Sequence, residues 1–152
     1  MKKMVAVMLT VSAVLLGGCG SKEVSFDVTK LGDELNTQIA YGEELSPMDI
    51  DTASMFINLS GINIVNSSIY ESSGATAEEI VVLECGSADD ANKAKEAMQS
   101  RVEEQKESYV DYVPEEMPKL ESAIVMTNGK YAVLSVSGDA NAAKGIIDSY
   151  MK

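Results

Sequence analysis

The chain has 152 residues, 12 basic against 24 acidic side chains, a formal net charge of −12, and neither histidine nor tryptophan. So acidic a surface repels nucleic acid and anionic bilayers alike. Without histidine, Ser-His-Asp and Cys-His catalysis and the usual zinc, copper and non-haem iron sites fall away.

At the N-terminus, Lys2 and Lys3 precede an apolar run from Met4 to Leu16, and Leu16-Gly17-Gly18-Cys19 closes it. A basic start, a short apolar segment and small residues before a cysteine form the pattern of a bacterial lipoprotein signal peptide. A membrane-spanning helix needs about 20 apolar residues, more than this run holds. The expectation is a signal peptide over 1–18, cleavage before Cys19, and acyl chains on Cys19. The chain would then be anchored on the extracytoplasmic face of a bacterial cell membrane. Each buried methylene contributes about 0.8 kcal/mol, and two or more chains hold where one is marginal. Residues 19–26 become the lipidated cysteine and its tether, and 27–152 a single domain long enough to bury a core. With Cys19 acylated, Cys85 has no cysteine to pair with. It ends an apolar run, which suits a buried, inert thiol.

From Asp27 the apolar positions Val28, Leu31, Leu35 and Ile39 recur at spacings of three and four, one face of a helix that Gly42 stops. Ser46-Pro47 reads as the start of a short helical stretch from Met48 to about Leu59. Ile62 to Tyr70 reads as a strand, Ser72-Ser73-Gly74 as a turn, and Glu79 to Cys85 as a compact, central strand. Ser87, with Asp90 three residues on, resembles an N-cap. Ala91, Ala94, Met98, Val102 and Tyr109 then mark a long helix to about Glu107, and Pro114 ends any continuation. Ala123 to Thr127 and Lys130 to Val136 flank Asn128-Gly129, the pair a type I′ hairpin turn favours. Ala140, Ala143, Ile147 and Met151 mark a last helix.

Two segments repeat. Asp90-Ala91-Asn92-Lys93-Ala94-Lys95 and Asp139-Ala140-Asn141-Ala142-Ala143-Lys144 differ at one position, and each follows two strands. Duplication and convergence on good helix-start chemistry both account for this. Either way the pieces predict an α+β domain: an N-terminal helix, then two strand-strand-helix units forming a four-stranded, mainly antiparallel sheet with helices on one face.

The acids fall in scattered pairs (Glu43-Glu44, Glu78-Glu79, Asp89-Asp90, Glu103-Glu104, Glu115-Glu116), the habit of solvated faces. Asp49-Ile50-Asp51 and Asp89-Asp90 could offer oxygen ligands to calcium, but neither fits the EF-hand loop, and helix caps explain them better. Thr127 and Lys130 superficially resemble a hydroxyl-lysine hydrolase pair, which the turn already explains. Tyr109 to Pro118 gathers two tyrosines, two prolines and three acids. It suits either a partner-binding surface or a strap of amphipathic tyrosines packed on the domain.

The lipobox, Glu78-Glu79-Ile80-Val81-Val82, the long helix with Arg101 and Gln105, Asp111-Tyr112-Val113-Pro114-Glu115-Glu116 and Asn128-Gly129-Lys130-Tyr131 are together similar to a lipoprotein family of Gram-positive bacteria, the domain of unknown function 4358. The resemblance covers most of the mature chain. It implies an extracytoplasmic lipoprotein and brings no activity, cofactor or catalytic residue with it.

Two function classes follow. The first is a non-catalytic binding module of the cell envelope, its partner an envelope protein or peptide met by Tyr109, Tyr112, Pro114 and Pro118. The second is a hydrolase that uses two carboxyl groups about 5–10 Å apart in a cleft. A concave cleft holding two acids with raised pKa would favour the second. No cofactor, metal ligand or catalytic residue is expected.

Overall fold

A computed structural model describes residues 23–152. The expected signal peptide, Cys19 and the start of the expected tether lie outside the described residues. Among the described residues no helix is long and apolar enough to cross a membrane.

The elements run α1 (Val28–Gln38), β1 (Ser46–Met48), α2 (Ile50–Ala53), β2 (Ile64–Glu71), β3 (Glu79–Cys85), α3 (Ala88–Tyr112), a 3-10 turn (Pro114–Glu116), α4 (Met117–Glu121), β4 (Ile124–Asn128), β5 (Tyr131–Val136) and α5 (Ala140–Met151). The strands form one antiparallel sheet in the order β1-β2-β3-β5-β4. The domain is therefore mixed α+β, with five strands where four were expected. Ser46-Pro47 supplies the extra one at the edge, where Pro47, lacking an N–H, is tolerated. The helix expected to reach Leu59 shrinks to one turn, α2, capped by the Asp49 carboxylate, which accepts from Thr52 N at 2.8 Å.

Helices cover both faces of the sheet, not one. Val81, Leu83, Leu134 and Val136 point toward α3, where Ala91, Ala94, Met98 and Val102 meet them together with Leu120. Ile80, Val82, Tyr131 and Val133 point the other way, into Val28, Leu31 and Leu35 of α1 and Ala143, Ile147 and Met151 of α5. β3 and β5 are consequently buried on both sides. Their unbroken apolar runs follow from that, since a strand with one wet face would alternate. Packing begins before α1: the Phe26 ring stacks on Tyr131 at 4.0 Å and meets Tyr150 edge-on at 5.5 Å.

The β4–β5 hairpin forms as expected, but its turn is shifted by one residue. Asn128 pairs with Tyr131, leaving Gly129-Lys130 as the loop, and Gly129 takes φ of +54° while no non-glycine residue among the described residues has positive φ. Glycine at the first loop position is the type II′ requirement, so the turn is not type I′.

The repeat ends at the strands. With Glu79-Ile80-Val81-Val82-Leu83 set against Lys130-Tyr131-Ala132-Val133-Leu134, Val81 and Ala132 correspond and face the same side, yet α3 and α5 lie on opposite sides. The matching hexapeptides also sit differently: Ser87 caps α3 and leaves Asp90 in its first turn, whereas Asp139 itself caps α5 by accepting from Ala142 N at 2.9 Å. No rotation superposes the two units, which favours shared helix-start chemistry as the cause.

Candidate functional site

The β2–β3 register sets Glu71 directly opposite Glu79 at the end of the sheet. Like charges so placed repel, and both are held back from water. The Glu79 side chain has no exposure and that of Glu71 has 13 %. α3 crosses this end and presents Arg101, Gln105 and Tyr109, four residues apart and so on one stripe. To keep that stripe inward the helix continues past Glu107 to Tyr112, and stops where Val113 precedes Pro114.

Arg101 ties the acids together. Its Nη2 donates to Glu71 Oε1 at 3.0 Å and its Nε faces Glu79 Oε2 at 3.4 Å. In the orientation that satisfies both ends of its amide, Gln105 donates to Glu79 Oε1 and accepts from Arg101 Nη2, each at 3.2 Å. The guanidinium also lies over the Phe56 ring at 4.8 Å. Burial, then the Glu71 charge, raises the Glu79 carboxyl well above the usual carboxylate range. Burial also raises Glu71, against the lowering pull of its hydrogen bond with Glu79 and of Arg101.

A second acid group adjoins it. Lys119 Nζ lies 3.0 Å from Glu78 Oε1 and 2.9 Å from Glu116 Oε1. Glu116 Oε2 accepts from Ala77 N at 3.0 Å, and Glu78 Oε2 from Gly42 N at 2.8 Å and Thr76 Oγ1 at 3.1 Å. Burial depresses the Lys119 ammonium pKa, but its hydrogen bonds to Glu116 and Glu78 outweigh that and hold it above the ordinary value. Glu78, Glu79 and Glu116 are thus buried, correcting the expectation that the paired acids form solvated faces; Glu103, Glu104 and Asp89 do remain exposed.

Two hollows adjoin at Arg101 along one flank of α3. One, of about 410 Å³, runs between Phe56, Asn58, Ser60 and Ile62 on one bank and Lys93, Glu96, Ala97 and Ser100 on the other. The next, of about 260 Å³, lies over Glu71 between Gly74 and Ser108-Tyr109. Arg101 and Glu104 border both. The flank from Lys93 to Tyr109 is roughly 24 Å long at 1.5 Å per residue.

The tyrosine and proline cluster divides. Tyr109 is half-buried, its hydroxyl 2.7 Å from Thr76 O and 3.0 Å from Gly74 O, so it straps the 72–78 loop. Tyr112 is 78 % exposed, and Pro114 and Pro118 are exposed on the short helices that follow. Ser108 and Tyr112 continue the flank at helical spacing. The other candidates serve the fold. Asp90 meets Ser87 at the start of α3, and Lys130 Nζ is held by Glu84 Oε1 at 2.6 Å in the turn. Cys85 has no exposure, and burial first, with Asp90 and Glu84, pushes its thiol up to about 11.

The acid pair lay within reach of the sequence. Glu71 and Glu79 flank the connection between two apolar strands, so a hairpin brings them together, and an unpaired acid at the start of a doubly buried strand needs a cation. Arg101 is the chain's only arginine.

No curated protein and no solved structure matches the chain. A family model does match over residues 42–137, which span β1 to β5 with both acid groups and the α3 flank and leave out α1 and α5. The chain belongs to the family described as Domain of unknown function (DUF4358).

Proposed function

We propose that the protein is a lipoprotein anchored through Cys19 on the extracytoplasmic face of a Gram-positive cell membrane. Its domain is a non-catalytic binding module that takes an extended peptide segment of an envelope protein along the α3 flank. The observation that carries this reading is the pair of adjoining hollows, open to solvent, the larger lined by apolar and polar side chains together and the smaller mainly by polar ones. Extended chain rises about 3.3 Å per residue, so the flank suits about seven residues. Phe56, Ile62 and Ala97 would take aliphatic side chains. Glu96 and Glu104, which make no ion pair among the described residues, would take a lysine or arginine. Tyr112, Pro114 and Pro118 would meet the segment where it leaves the flank, and Tyr109 would hold the end of the groove in shape.

The test is an array of envelope-protein peptides probed with the full chain, then repeated with Ser100→Trp, which fills the larger hollow from an exposed position. Basic-aliphatic peptides should be captured by the native chain and lost with the variant at unchanged melting temperature. Equal capture by the folded variant overturns the reading.

The carboxylate hydrolase is the second reading, favoured by one observation: two acids with raised pKa meet, and one of them, Glu71, lines a hollow. Their arrangement counts against it. The carboxyls are gathered on one guanidinium, that of Arg101, whereas glycosidase pairs stand about 5–10 Å apart around a water or sugar. Aspartic-protease pairs also share a proton, but Glu79 is sealed and bound by Arg101 and Gln105. Hydrolysis of an envelope polymer, abolished by Glu71→Gln, would establish this reading instead.

A further inference from the structure

We infer that Glu71 and Glu79 hold one proton between them at neutral pH, Glu79 donating it to Glu71, so that the pair and Arg101 together carry no net charge and the floor of the smaller hollow is neutral. The inference stands apart from what the flank binds.

Three observations carry it. The sheet register forces the two carboxyls face to face. One guanidinium is shared between them, so two ionised acids would leave an uncompensated charge where Glu79 has no exposure, and such a charge is too costly to persist. Finally, Glu71 Oε2 is buried and has no donor partner when both acids are ionised, whereas a proton on Glu79 provides one. The neighbouring Lys119 group shows the contrast. It also has two carboxyls and one cation, yet all four oxygens there meet an N–H, an O–H or the ammonium. Burial of Glu79 and the opposed charge of Glu71 push in the same direction as the geometry.

The charged and titratable groups around the pair are few. α3 presents Arg101, Glu104 and Tyr109, of which Glu104 is exposed and Tyr109 donates elsewhere. Glu116 and Lys119 face the neighbouring group with Glu78. Glu43 is engaged by Ser73 N. None offers a second cation, so a proton must serve.

A carboxyl raised in the folded state adds stability that is complete below the ordinary carboxyl range and is lost as pH rises through the raised value. The full chain in detergent micelles should show a protonated-carboxyl infrared band at pH 7 that disappears as the solution is made alkaline, and should take up one proton on folding at that pH. Glu79→Gln, which keeps an N–H donor toward Glu71, should lack the band and lose the alkaline fall in melting temperature. Should that variant fail to fold, Glu71→Gln at the better-exposed partner replaces it with the same expectation. Absence of the band from the folded native chain overturns the inference, and so does a band unchanged in either folded variant.

Discussion

Two acid groups sit side by side at one end of the sheet, each with two glutamates and one cation, and they satisfy their carboxyl oxygens differently. Around Lys119, donors come from backbone as well as side chains, because the 76–78 segment and Gly42 turn N–H groups toward the carboxylates. Around Arg101 the acids project from paired strands whose N–H groups are already spent in the sheet. Among the described residues their donors are the α3 side chains Arg101 and Gln105. The difference teaches that strand acids depend on whatever crosses above, whereas loop acids can recruit the backbone itself.

Breaking the Arg101 group should cost the most. Arg101→Met removes the cation that pairs with both acids among the described residues, and losing one side of a buried pair costs about 3–5 kcal/mol. The loss should be greatest at alkaline pH. Without the guanidinium both carboxyls titrate higher still, and below the pH where they take up protons the penalty shrinks. Chemical unfolding at acid and alkaline pH checks this; an equal loss at both would mean that Arg101 acts through packing on Phe56 alone.

Lys119→Met should cost less, about 1.5–3 kcal/mol for lost charge-assisted hydrogen bonds. Glu116 keeps Ala77 N, and Glu78 keeps Gly42 N and Thr76 Oγ1. The same unfolding measurement applies, and a cost matching that of Arg101→Met would erase the distinction between the two groups.

How much of this was legible in sequence follows the same division. Helix spacing marked α1, α3 and α5, and the apolar runs marked β2, β3 and β5, because those signals are local. The doubly covered sheet was also written in the chain, since Ile80 to Leu83 and Tyr131 to Leu134 show no alternation, but an antiparallel sheet more often keeps one face wet. β1 was illegible: three residues carry no period, and Pro47 resembles a helix start as well as an edge strand. The meeting of Glu71 and Glu79 was within reach through the hairpin, but the burial of Glu78 and Glu116 was hidden, because Glu78-Glu79 and Glu115-Glu116 look like every other acidic pair until the α3 crossing is known. The flank was invisible for the same reason, Phe56 and Ser100 being far apart in sequence and joined only by packing.

Tyr109 links the two acid groups by fixing the loop between them. Tyr109→Phe keeps the ring and removes the hydroxyl, which should cost about 1 kcal/mol. Thr76 O retains the Ser72 hydroxyl at 2.6 Å, so the loss is partial. Hydrogen exchange should rise over 72–78 and stay unchanged in β5. Exchange that rises evenly through the sheet would mean that the hydroxyl supports the whole domain.

Tyr112→Ala should change stability least, within about 0.5 kcal/mol, as surface substitutions do. The ring is 78 % exposed and no side-chain hydrogen bond fixes it among the described residues. That near-silence makes it a clean probe, because Tyr109 and Tyr112 are three residues apart and differ in which way they face. If the bound segment leaves the flank over Tyr112, capture should fall about fivefold or more, since an interface tyrosine can contribute a kcal/mol or more, while the melting temperature holds. Unchanged capture would confine binding to the hollows beside Phe56 and Arg101 and remove the crossover from the partner surface. A drop in melting temperature of several degrees would instead make Tyr112 a second strap beside Tyr109.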